Sequence, residues 1–176
     1  MKFIYIFLLA LIAFQAAFAS DASSITKKLK SVDNECDKLA SLNTNVAVTA
    51  SVAASIEAEI VAIVNVIVAA QSEISAFSGI FAVADANAFI QLLIDIAADI
   101  QVGIQAIISL QVSLAAIGAD FKVGQNLADL QVAVNAFVGV FLGKIPSASK
   151  TDATNVCNNL KKYAQGGCSA YSSCSQ

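Results

Sequence analysis

The sequence has no histidine, no tryptophan and no arginine, and only one proline among its 176 residues. Without an imidazole there is no ready general base near neutral pH and no partner to activate a serine or cysteine nucleophile. The same gap removes the commonest zinc ligand. The spacing of Cys36, Cys157, Cys168 and Cys174 also lacks the close pairs of zinc motifs. Every basic residue is a lysine, and none lies between Lys38 and Lys122. Nucleic acid is therefore excluded as a partner, because binding it needs clustered positive charge. Few prolines and glycines mean few helix breakers, so long helices are favoured.

Across the lysine-free interval the charge is acidic: Glu57, Glu59, Glu73, Asp85, Asp95, Asp99 and Asp120. Their spacing shows no metal-ligand cluster and reads as a solvated face that keeps an apolar chain soluble. Asp95 and Asp99 stand one helical turn apart, and the same reading covers them. No pair of carboxylates marks a catalytic cleft, so no enzyme and no cofactor are expected.

What the chain has in abundance is apolar residue, 57% of the total. Met1-Lys2, the apolar run Phe3 to Ala13 and the small residues of Ala17-Phe18-Ala19 have the three-part layout of a secretory signal peptide. The expected organisation is a signal peptide at 1–19, a helical-bundle domain at 20–165 and a Cys-containing polar tail at 166–176. Export places the protein outside the cell or in the cell wall. Four cysteines in an oxidising compartment point to two disulfides, with three possible pairings.

Periodicity assigns the secondary structure. Ile56, Ile60, Ile63, Ile67, Ala70, Ile74 and Phe77 step by four and three, one apolar stripe on a helix that ends before Gly79. A second series runs from Leu93 through Ile96, Ile100, Gly103, Ile107, Leu110 and Leu114 to Ile117, closing at Gly118. A third runs from Val123 through Leu127, Leu130, Val134 and Phe137 to Phe141, closing at Gly143 and Pro146. More polar helices flank them, one from Ser24 to about Asn43. The other starts after Pro146, capped by Ser147 or Ser149, and is stopped by Gly166-Gly167. The fold class is all-α, a single-domain antiparallel bundle of about five amphipathic helices, stapled by disulfides. The most apolar stretch of these helices, Ile60 to Ala70, contains Asn65 and is about half the span a membrane requires, so no transmembrane segment is expected.

Two features exceed what a simple bundle needs. Five of the six phenylalanines after residue 19 (Phe77, Phe81, Phe89, Phe137, Phe141) fall at one end of the bundle, and Phe121 lies at the other. They either fill a wide bundle end or form a pliable mouth for a lipid chain. Second apolar rows, Ile90, Ile94, Ile104, Ile108 and Val112, then Val132, Val138, Val140 and Leu142, either bury a central helix on two sides or line a cavity. The first and last helices run the same way, and Cys36 and Cys157 sit at similar depths. The pairing Cys36–Cys157 with Cys168–Cys174 is therefore expected.

This pattern resembles the fungal hydrophobic surface binding protein A and cell wall mannoprotein family. The local match is Ala136 to Pro146, which ends in the Lys144-Ile145-Pro146 turn before the last helix. The resemblance implies about five amphipathic helices and non-enzymatic binding of hydrophobic surfaces, or of fatty acids held between helices. Ile67, Ile74, Phe77, Phe81, Phe89, Leu93, Leu130, Phe137 and Phe141 are then the candidate contacts. Lys144 is the head-group candidate. Cell-wall polysaccharide and a secreted hydrolase are further candidate partners, the latter for a helical-bundle inhibitor of an extracellular enzyme.

Overall fold

A computed structural model describes residues 22–44 and 47–171. The signal peptide and Cys174 lie outside these residues. The described residues form six α-helices and one 3-10 turn, with no strand among them. Helix α1 covers residues 22–40. It is followed by α2 (Ala50–Ala76), α3 (Val83–Ser109), the short α4 (Gln111–Ala116), α5 (Asp120–Lys144), the 3-10 turn Ser147–Ser149 and α6 (Lys150–Ala170).

Local chemistry sets the helix ends. Thr49 caps α2, its hydroxyl accepting from the Val52 N–H at 3.3 Å. Gly79 (φ +100°) and Gly118 (φ +72°) supply the left-handed turns after α2 and α4. The expected helix through Leu110 to Ile117 breaks at Leu110 instead. The Ser109 hydroxyl bonds back to the Ala106 carbonyl at 2.7 Å, and the Gln111 amide reaches the Ala170 carbonyl at 2.5 Å. The bend turns Leu110 and Leu114 inward over the core. Gly166-Gly167 does not stop α6, which continues to Ala170. A Cβ at Gly167 would lie 2.7 Å from Ile104 Cδ1, so glycine lets α6 close onto α3 here.

The five long helices form one layer around a common core. α2 packs on α5, α5 on α6, and α6 on α3. α1 completes the circuit. Leu39 meets α3 at Gly103, where a Cβ would stand 2.6 Å from Leu39 Cγ, and Lys38 lies within electrostatic reach of Glu59 on α2. Two of these pairs are alternate helices in the up-and-down order and so run the same way. α2 and α5 run parallel, tied at their starts by Lys122–Glu57 (2.5 Å) and at their ends by Lys144–Phe77. α3 and α6 are parallel as well, from Asn87–Ser149 to Ile107–Tyr171. The short link between α5 and α6 joins helices that also pack together, whereas the main partners of α2 and α3 lie further along the chain.

The expected Cys36–Cys157 bridge is absent. Both thiols are free and buried. Cys36 sits on the α1–α3 seam among Asp99, Asp33 and Asp37, whereas Cys157 on α6 lies near Lys161 and Lys150. The two thiols thus sit in different charge surroundings on different helices. The other expected pair reaches Cys174, outside the described residues.

Three helices (α2, α3 and α5) are long and apolar enough to cross a membrane by length and composition, contrary to the expectation from Ile60–Ala70 alone. The reason is that single polar residues such as Asn65 do not interrupt a helix of 27 residues. α2 is the extreme case. Its inward stripe is the predicted one, yet only 28% of its most apolar stretch is buried, and Val61 and Val68 face outward.

Candidate functional site

The helix stripes converge on a central point. Leu29 and Val32 of α1, Ile67 of α2, Leu93, Ile96 and Ile100 of α3, Val134 and Phe137 of α5, and Leu160 of α6 surround one cavity. Every lining residue is aliphatic or aromatic. The volume is about 10 Å³, close to the minimum that admits a single water, and an apolar site of this size stays dry. The packed core is therefore closed around an apolar seam, and it holds an acyl chain only if the helices separate.

The aromatic end adjoins this cavity through Phe137. Phe137 stacks on Phe141 with ring centroids 5.8 Å apart, and Phe81 lies 6.3 Å from Phe141. Phe81 also contacts Phe77 at 4.7 Å and Phe89 edge-on at 5.0 Å. All five rings are buried. Phe81 belongs to the α2–α3 link, so the cluster is knitted across three segments of chain. Such pairs add about 0.5–1.5 kcal/mol each beyond area burial. The sixth ring, Phe121, is more than half exposed at the start of α5.

Lys144 fastens this end. Its ammonium donates to the Phe77 carbonyl at 2.6 Å, and its own carbonyl accepts from the Phe81 N–H at 2.8 Å. The Lys150 ammonium donates to the Leu142 carbonyl, so one cation meets the carbonyl end of α2 and another that of α5. Ser149, the buried polar residue, bonds to Asn87 at 2.7 Å and ties the start of α6 to α3.

Of the residues singled out in the sequence, Ile67, Leu93 and Phe137 line the cavity. Phe77, Phe81, Phe89 and Phe141 build the aromatic end, and Ile74 and Leu130 are fully buried in the core. Leu29, Val32, Ile96, Ile100, Val134 and Leu160 also line the cavity and were not among those candidates. Each lies on an apolar stripe, so the signal was present; what was missing was the depth at which the stripes meet.

Titratable groups near the core are few. Burial, reinforced by nearby carboxylates, pushes the Cys36 thiol up, and burial raises Cys157 to about 12. Neither is a nucleophile in the folded state. Asp33 and Asp99 are raised first by burial and then by neighbouring aspartates across the α1–α3 seam. No group of His, Cys, Asp and Glu among the described residues is arranged to hold a metal ion.

An all-helical bundle closed around an apolar centre with an aromatic end is the class of protein these features define. No protein-family model matches the chain, nor does any curated protein. Solved structures do share its fold. Ligand binding domain 1 of the Penicillium marneffei MP1 protein, complexed with arachidonic acids, superposes with a TM-score of 0.77 at 18% identity. The match covers 86% of this chain and 99% of that one. AFMP4P in complex with palmitic acid gives 0.67 at 16% identity, over 89% and 99%. Domain 2 of the MP1 protein, with multiple arachidonic acids, gives 0.66 at 16%, over 89% and 95%.

Proposed function

We propose that this is a secreted, non-enzymatic binder of fatty-acid-like lipids, which takes the acyl chain between its helices at the central seam. The observation that carries the reading is the convergence of all five long helices on one wholly apolar cavity that adjoins the phenylalanine cluster through Phe137. Proteins of the same fold were solved with arachidonic and palmitic acids, which supports the ligand class and a place beside such fungal lipid-binding domains. The driving force is apolar burial, about 0.8 kcal/mol per methylene. Part of it is spent on parting the closed core. The aromatic end is the entry, since rings in tilted contact can slide without exposing a polar group.

Adsorption to hydrophobic surfaces is a second reading, favoured by the outward apolar residues of α2 and by Val132 and Phe121 on α5. One experiment separates the two. The mature protein, made in a heterologous host, is extracted with organic solvent for mass spectrometry and is tested for depletion on hydrophobic beads. Co-purified fatty acid supports the core reading, and bead depletion without lipid supports adsorption. Neither result would leave an interaction with another protein, such as inhibition of a hydrolase, as the better account.

A further inference from the structure

The second isoleucine row of α3 is not absorbed by the central seam. Ile104 and Ile108 instead form the floor of an open groove of about 300 Å³ between α3 and α6, bounded by Tyr163 and Gly166. This is the lower end of the range for small-molecule sites. Gln101 and Gln105 stand on one rim and Lys162 on the other. Lys162 is the single charge lining the groove and makes no ion pair among the described residues. A second groove on the same seam, about 570 Å³, carries Asp152.

We propose that this groove is an external binding site for a long-chain carboxylate, separate from the central seam. The head group pairs with Lys162 and accepts from the Gln101 and Gln105 amides. The acyl chain lies over Ile104 and Ile108, along Tyr163. Charge sets this direction, because the other groove on the seam would present Asp152 to the carboxylate. Charge also disfavours a second copy of the chain as occupant, since a two-fold contact here would bring the two Lys162 side chains together. Unlike the central seam, the groove is open already and needs no helix to move.

The test is titration of the mature protein with oleate below its micellar concentration, and with methyl oleate, followed by amide NMR shifts and calorimetry. Two variants probe the groove. Lys162→Gln removes the charge. Gly166→Leu fills the groove from a position where a Cβ meets nothing within 4 Å. Oleate should shift the amides of Gln105, Lys162 and Gly166. Lys162→Gln should weaken that response about tenfold and leave methyl oleate unchanged, while Gly166→Leu should abolish it. Absence of these shifts in the wild type at saturation, or oleate binding by Lys162→Gln equal to wild type, would overturn the proposal. Shifts confined to Leu93, Ile96 and Ile100 would leave the central site standing without the groove, and shifts confined to the groove would do the reverse. If Gly166→Leu fails to fold by circular dichroism, the oleate and methyl oleate comparison in Lys162→Gln decides.

Discussion

The seating of α1 against α3 can be tested with a single methyl group. In Gly103→Ala the new Cβ would lie 2.6 Å from Leu39 Cγ, 2.8 Å from its Cδ2 and 3.2 Å from its carbonyl carbon. Leu39 is fully buried. Rotating its side chain relieves the first two contacts at the cost of packing elsewhere. The third involves backbone, so α1 itself must move. Alanine is better than glycine inside a helix by about 1 kcal/mol, while forcing an extra carbon into a packed core costs about 1–3 kcal/mol. The net expectation is a loss of about 1 kcal/mol, with the upper end nearer 2. Gly139→Ala on α5 is the control, because its Cβ meets nothing within 4 Å. It keeps the propensity gain and should be stabilised by about 1 kcal/mol. Urea unfolding followed by circular dichroism should therefore separate the two variants by about 1–3 kcal/mol, up to several degrees in Tm. If Gly103→Ala were stabilised as much as Gly139→Ala, α1 would not be seated where Leu29 and Val32 line the central seam.

Leu93→Ala removes a buried side chain at the cavity wall and should cost about 2–5 kcal/mol. Saturating palmitate should recover part of this loss in a thermal melt, and a ligand-independent Tm would contradict the central site. Cys36 and Cys157 should react with a thiol reagent only after denaturation, because both are buried and free. Non-reducing peptide mapping that recovered them linked would refute the assignment. The pH dependence has a definite sign. Asp33 and Asp99 have folded-state pKa values raised above the ordinary aspartate value, so the folded chain holds their protons more tightly than the unfolded chain. Their destabilising effect is complete above the folded values and fades as pH falls through them. The Tm should rise as the pH falls through those raised values towards the ordinary carboxylate range. The double variant Asp33→Asn, Asp99→Asn should flatten that rise; an unchanged slope would show that the seam is not its source.

The stripe of α2 was legible residue by residue, since a period near 3.6 places Ile56, Ile60, Ile63, Ile67 and Ile74 on one face whatever that face meets. The gathering of Phe77, Phe81, Phe89, Phe137 and Phe141 was legible as well. Helix lengths and short links return α5 to the end where α2 meets α3. Other features depended on contacts remote in sequence. The break at Leu110 answers to the carbonyl of Ala170, and α6 passes through Gly166-Gly167 because Ile104 lies against it. Local propensity contains neither fact.

Sequence alone thus determined the class of structure: helices, their inward faces, and an interior with almost no polar group. These follow from periodicity and composition, which act within a few turns of chain. Only the tertiary structure decided which helices touch. The parallel α2/α5 and α3/α6 pairs and the separate settings of Cys36 and Cys157 depend on how five stripes pack around one centre. So do the near-closure of the cavity and the open groove at Lys162. Each stripe specifies that a face is buried, but only the complete packing determines what it is buried against.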